Sequence, residues 1–158
     1  MREKIKAYIA GFLDGDGCIM FQLVKRKDYI YLYQIRASIV FYQRINNIAI
    51  ICWLKSQLKD GYIRERKDYM AEYTIVGINK VMKVLMQLKP YLRLKRKHVL
   101  LAQKIAGMMQ DQKKINPEKF LKAAKLVDQF KDLNYSKKRV NTSKQLREHL
   151  LEKKIISP

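Results

Sequence analysis

Acid is scarce in this sequence. Against 34 Lys and Arg there are 14 Asp and Glu, a net charge of +20 at pH 7 and a pI near 10. Such a surface makes a polyanion the expected partner, nucleic acid ahead of an anionic membrane. Long apolar runs are missing too: none approaches the ~20 residues a spanning helix needs, which excludes a transmembrane segment of that kind. No helical pattern pairs a broad basic face with one rich in Trp or Phe, which argues against a membrane-surface helix. Cysteine is reduced to Cys18 and Cys52, with no His at zinc spacing, so both read as reduced, largely structural thiols. Low-complexity segments, long linkers and internal repeats are absent. At 158 residues one domain is expected. Met1-Arg2-Glu3-Lys4 passes directly into a helical pattern, so no secretory or transit peptide is expected and the protein is used where it is made.

What is present is organised around Ile9-Ala10-Gly11-Phe12-Leu13-Asp14-Gly15-Asp16-Gly17. Ile5, Ile9 and Phe12 recur at helical spacing and predict an inward face on a helix from about Ile5 to Asp14. Ala7, Ala10, Gly11 and Asp14 form a neighbouring strip of small residues that lets a second helix backbone approach closely. The helix then meets Asp14-Gly15-Asp16-Gly17. Two glycines alternating with two carboxylates suit a turn pressed against a ligand, and oxygen donors of this kind are what Mg2+ prefers.

Strand period follows. Ile19, Phe21 and Leu23 alternate with Met20, Gln22 and Val24, and a basic connection, Lys25-Arg26-Lys27-Asp28, precedes Tyr29 and a longer alternation from Ile30 to Tyr42. There Ile35, Ala37, Ile39 and Phe41 face one way, Gln34, Arg36, Ser38, Val40 and Tyr42 the other. Gln, Arg, Ser and Tyr can hydrogen-bond base edges or stack on bases, so this second face is a candidate reading surface. Asn47 is placed to cap a helix carrying Ile48, Ile51, Trp53, Leu54 and Leu58. A second pair of strands sets Tyr62, Arg64 and Arg66 on one face, and Glu72 and Thr74 opposite Tyr73 and Ile75. Ile78 to Leu88 is helical and Pro90 ends it.

Beyond Pro90 the pattern is helical: Leu94 to Met109, Asn116-Pro117 opening a helix to about Leu133, a basic loop from Asn134 to Asn141, and a Thr142/Gln145 capping box before a last helix through Lys154. The predicted class is α+β, an αββαββα core with an antiparallel saddle sheet followed by C-terminal helices. We expect a single domain, with residues 1–92 as core and 93–158 as helical extension.

The nonapeptide resembles the signature of the LAGLIDADG homing endonucleases: Ala10, Gly11, Asp14, Asp16 and Gly17 are identical to the corresponding letters. Nearly the whole chain shares the likeness, which includes both hairpins, Pro90-Tyr91-Leu92-Arg93-Leu94-Lys95 and Leu133-Asn134-Tyr135-Ser136-Lys137. The resemblance implies the same core fold. It also implies a homodimer, because cutting two strands needs two sets of metal ligands and one signature supplies one. Ala7, Ala10, Gly11 and Asp14 would form the seam, with Asp14 structural, capping the turn.

By the same resemblance the activity is site-specific cleavage of double-stranded DNA at a long pseudo-palindromic site, intron-encoded, leaving short 3′ overhangs. Asp16 would ligate Mg2+, with Mn2+ or Ca2+ able to substitute in binding, and Gly15 would add its carbonyl. Gln43 matches the residue that positions the attacking water, and Lys95 the lysine that stabilises developing phosphate charge. Ser136 and Lys137 match contacts to the DNA backbone. Gln22, Val24, Arg26, Tyr29, Gln34, Arg36, Ser38, Tyr42, Tyr62, Arg64, Arg66, Glu72 and Thr74 complete the expected DNA surface. Asn47 departs from relatives that carry a basic residue there, and Arg44 is a candidate to compensate. An organelle, chloroplast or mitochondrion, is the implied compartment. An RNA-binding intron maturase and a non-cleaving DNA-binding protein of the same fold are the alternatives.

Overall fold

The computed structural model describes residues 1–110, 114–135 and 140–158. Helix α1 (Glu3–Asp16) leads into β1 (Gly17–Lys25) and β2 (Tyr33–Arg44); a 3-10 turn, Ile45–Asn47, precedes α2 (Ile48–Leu58), and β3 (Tyr62–Glu65), β4 (Met70–Val76) and α3 (Ile78–Leu88) follow. This is the predicted αββαββα order. The strands make one sheet in the order β1-β2-β4-β3, and β4 is antiparallel to both β2 and β3. After it come α4 (Arg96–Met108), α5 (Pro117–Asp128), α6 (Phe130–Leu133) and α7 (Ser143–Glu152). Among the described residues no helix is long and apolar enough to cross a membrane.

Two compact units emerge. One comprises Met1–Met20 with Ala37–Val99; the other comprises Phe21–Arg36 with Leu100–Pro158. The chain passes from one to the other inside β1 and β2, which strand period alone cannot reveal.

In the first unit the alternating residues Ile39, Phe41, Tyr73 and Ile75 are buried, as period two requires. Phe41 stacks on Tyr73 at 5.9 Å, and the Tyr73 hydroxyl donates to the Asp60 carbonyl. Burial pushes that phenol well above the usual tyrosine range. Ile51 and Leu54 of α2, and Val81, Leu85 and Leu88 of α3, complete this core. Gly61 has φ +83°, and a Cβ there would lie 2.2 Å from the Thr74 carbonyl oxygen, so glycine is required where β3 begins.

The first two helices differ from expectation in three respects. The fully buried residues of α1 are Ile9, Ala10 and Leu13, whereas Ile5 and Phe12 are half-buried, so the inward face is rotated. Asp14-Gly15-Asp16 is not a free turn: the helix continues through Asp16, and strand begins at Gly17. A Cβ on Gly17 would sit 2.8 Å from Leu13 Cα, so only glycine lets the chain leave the helix this tightly. Asn47 makes no capping bond to α2.

The second unit has its own aromatic core. Phe21 stacks on Phe130 at 5.1 Å, Tyr31 lies against Phe120, and the Tyr31 hydroxyl donates to the Ile115 carbonyl at 2.7 Å. Asn116 caps α5 by accepting from the amides of Glu118 and Lys119, with Pro117 at the first position. The predicted helix to Leu133 is interrupted at Gln129, giving α5 and α6. Thr142 and Gln145 form the predicted capping box of α7, which stops at Glu152.

Candidate active site

The last turn of α1 treats its two acids differently. Asp14 accepts three backbone amides, from Arg93 at 2.6 Å, Leu94 at 3.2 Å and Lys95 at 3.0 Å. In return, Lys95 Nζ donates to the Asp14 carbonyl at 2.7 Å. These amides precede α4 and have no helical partner of their own, so Asp14 caps the approach to α4. That is why α4 starts at Arg96 rather than Leu94. The load Asp14 carries is the 93–95 segment, not its own turn.

Asp16 is exposed and makes no hydrogen bond or ion pair among the described residues. Beside it Gly15 lacks a Cβ and has no atom within 4 Å of where one would stand. The C-terminus of a helix carries partial negative charge on its last carbonyls, and α1 has no basic residue in its final turn to offset it. An open carboxylate at the negative end of a helix dipole fits a hard divalent cation. Among the described residues, no group of three or more His, Cys, Asp or Glu is placed to hold a metal ion. An ion held at Asp16 would take most of its oxygen ligands from water and phosphate, a pattern Mg2+ tolerates.

Lys95 is half-buried. Burial draws its ammonium below the ordinary lysine range, while Asp14, Cys18 and Asp16 oppose the shift. The cation thus lies within electrostatic reach of the open carboxylate. Gln43, near the end of β2, is held separately: its Oε1 accepts from the Arg44 amide at 3.0 Å and from Asn47 Nδ2 at 3.4 Å. No hydrogen bond among the described residues joins Gln43 to Asp16 or Lys95. Asn47 therefore supports Gln43 instead of capping α2, and Arg44 is exposed nearby in sequence.

Register sets several of the expected DNA-facing residues on one face of the first unit. Tyr42 lies opposite Glu72 and Glu72 opposite Arg64, while Thr74 lies between Val40 and Tyr62. Arg64 Nη2 meets Glu72 Oε1 at 2.7 Å, and Arg66 Nη1 lies 3.5 Å from Glu72 Oε2. Burial, followed by Cys18 and Glu72, raises the Tyr42 phenol. Three of the residues expected on the DNA surface are buried. Ser38, Glu72 and Thr74 are 4%, 6% and 5% exposed. Glu72 acts here by holding arginines. Tyr62, Arg64 and Arg66 are exposed and Tyr42 half-exposed.

In the second unit Gln22, Arg26 and Arg36 are exposed, Val24, Tyr29 and Gln34 are half-buried, and Gln34 Nε2 donates to the Tyr29 hydroxyl at 2.7 Å. Asp28 clamps Arg26, with Nε–Oδ1 at 3.1 Å and Nη2–Oδ2 at 3.3 Å. In the first unit Asp68 does the same to Arg66, at 3.2 and 2.8 Å. Neither aspartate stood out by residue type. The signal was present in the repeated tetrapeptide Arg-Lys-Asp-Tyr at 26–29 and 66–69. Ser136 and Lys137, expected on the DNA backbone, lie outside the described residues.

The small strip of α1 is also revised. Ala10 is fully buried in its own chain and Asp14 is occupied, so the exposed line runs through Lys4, Ala7, Tyr8, Gly11 and Gly15. Gly11 has no atom within 4 Å of an added Cβ; nothing in its own chain requires glycine there.

The model of the LAGLIDADG endonuclease family matches residues 9–106, from the middle of α1 through α4. The chain belongs to that family. It is 36% identical over 144 residues to DNA endonuclease I-CvuI of Chlorella vulgaris, covering 91% of this chain and 88% of that protein. To DNA endonuclease I-CreI of Chlamydomonas reinhardtii it is 34% identical over 154 residues, covering 96% and 93%. The structure superposes on that of I-CvuI in complex with its target in 2 mM Ca with a TM-score of 0.91, over 98% of this chain and 97% of that one. Within the family's frame the αββαββα order and the signature at the end of α1 are the shared core.

Proposed function

We infer that this protein is a site-specific double-strand DNA endonuclease of the intron-homing type, using a divalent metal ion. The observation that carries the reading is the contrast within one helical turn: Asp14 is saturated by three amides while Asp16 is left open. An unpaired acid in a chain of +20 is costly to leave idle beside DNA unless a cation joins it. Asp16 and the Gly15 carbonyl would hold Mg2+ against a scissile phosphate, with Mn2+ or Ca2+ substituting in binding. When bound, such an ion lowers the pKa of its water and offsets charge on the leaving oxygen. Gln43 cannot accept a proton as a base, so its part is to orient the attacking water, with Asn47 steadying it from behind. Lys95, tied to Asp14, would place positive charge where the pentavalent phosphate gains negative charge.

Two such sites are needed for two strands. The exposed Ala7/Gly11 line of α1 supports a homodimer in which a second α1 lies against the first, each copy bringing one Asp16 to a pseudo-palindromic target. The basic outward residues Arg26, Arg36, Arg64 and Arg66 suit the major groove, which admits a two-stranded ribbon. Ser136 and Lys137 remain assigned to the DNA backbone by family likeness, and an organelle is the compartment we propose. The test is incubation with Mg2+ and a plasmid carrying the intron-free exon junction of the host gene. Discrete double-strand cuts with short 3′ overhangs support the reading; a metal-loaded protein that binds this junction without cutting it counts against it.

A further inference from the structure

Two hairpins of this chain carry the same device. In each, the arginine sits just past the end of a strand and closes the hairpin with its own amide: Arg26 N donates to the Leu32 carbonyl at 2.8 Å, and Arg66 N to the Met70 carbonyl at 2.7 Å. Lys27-Asp28 and Lys67-Asp68 then form the turn, followed by Tyr29 and Tyr69. Both aspartates grip the guanidinium through Nε and Nη2.

A guanidinium has two edges able to make paired hydrogen bonds. The side edge presents Nε and Nη2; the end edge presents Nη1 and Nη2. Asp28 and Asp68 occupy the side edge, which leaves the end edge for another planar acceptor pair and fixes its direction relative to the strand. In the major groove the pair that matches is O6 and N7 of guanine. Arg26 has no second acid among the described residues, while Arg66 shares Nη1 loosely with Glu72 at 3.5 Å. Exposed arginine–carboxylate pairs such as these add little to stability by themselves.

We propose that Asp28 and Asp68 are positioning residues for sequence specificity, each presetting its arginine, Arg26 or Arg66, to read a guanine in the target. The proposal rests on the DNA-endonuclease reading and adds the base class and the two residues that aim the readers. An unclamped arginine turns readily to a phosphate, which carries no sequence information; the clamp holds it toward the bases.

The test is selection of bound duplexes from a fully randomised DNA library by the full-length protein without Mg2+, followed by base preference at each position. Wild type should enrich a two-fold symmetric motif with guanine at the positions these arginines reach. Asp28→Asn should flatten guanine preference about tenfold at one symmetric pair of positions, while affinity for unselected duplex stays the same or tightens. Arg26→Lys, which keeps the charge but has no fork, should flatten the same pair. Asp68→Asn should act at a different pair. A motif that survives Asp28→Asn and Asp68→Asn unchanged, or a loss of affinity spread over all sequences alike, overturns this proposal alone. A wild-type protein that enriches no motif overturns the endonuclease reading and the proposal with it.

Discussion

The last turn of α1 and the outer face of β3 and β4 use acids in opposite ways. At the helix end one carboxylate is consumed by backbone amides and its neighbour two residues on is left open. On the β3–β4 face the acids beside the arginines are engaged instead: Glu72 and Asp68 are both bound to arginines, and Arg64 and Arg66 remain exposed. Each region therefore pairs off the group that only supports and exposes the group that acts. The comparison teaches how to separate roles among residues of one type. Here the acid bound to amides is architecture, the acids bound to arginines aim those arginines, and the open acid beside Gly15 at the helix end is the one placed for a cation.

Asp16→Asn tests the open acid and should have the largest effect. It keeps shape and one ligand oxygen but removes the charge that recruits Mg2+, so cleavage should fall by orders of magnitude. Affinity for DNA measured by gel shift without divalent ion should hold or tighten, because a negative charge beside phosphates is gone. A cleaving Asp16→Asn protein would end the metal assignment. Asp14→Asn should act on the fold instead. It leaves one acceptor for three amides, and charged hydrogen bonds contribute about 1.5–3 kcal/mol each. A loss of roughly 2–3 kcal/mol, or about 5–10 °C in Tm for a chain of this size, is expected by calorimetry. Equal Tm values for the two variants would erase the distinction between them.

The same logic separates neighbours on α1. Gly11→Leu places a side chain in open space, so the monomer should keep or slightly raise its Tm, leucine being the better helix former by somewhat less than ~1 kcal/mol. The dimer should dissociate, which light scattering at micromolar concentration would show. Ala10→Leu overpacks a fully buried site and should cost about 1–3 kcal/mol in the monomer itself. If Gly11→Leu stays dimeric, the exposed strip is not the seam.

Much of this was legible in residue order. Period two placed Ile39, Phe41, Tyr73 and Ile75 inside because each strand has one buried face, and Asn116-Pro117 and Thr142/Gln145 announced their helices through local hydrogen bonds. The errors share a cause, which is dependence on partners far away in the chain. Asp14 reads as the end of its own helix until the 93–95 amides, about 80 residues on, are found bonded to it. Ala10 and Gly11 look alike until packing buries one and bares the other. Ser38 and Thr74 belong to an outward face by period, yet period carries no information about how deeply each position on that face is buried. The family likeness supplied Gln43 and Lys95, which spacing alone would leave as surface groups.

The smallest expected effect, and the one that tests Lys95 most directly, is on pH. Burial favours the neutral amine, so the folded pKa lies below 10.5. Between that lowered value and 10.5 the unfolded chain holds a proton that the folded chain has released, so stability from this residue rises with pH across that window. Activity should run the other way. The ammonium is the form that offsets phosphate charge, and cleavage should decline in the same alkaline window, before ordinary lysines titrate. Lys95→Arg stays charged throughout. Its rate at neutral pH should drop a few-fold, since a planar fork does not reproduce the single donor on the Asp14 carbonyl. Its alkaline limb, however, should shift upward relative to wild type. Initial cleavage rates for both proteins from neutral pH to 10.5 decide the matter: coincident alkaline limbs would mean that the proton on Lys95 is not what the phosphate meets.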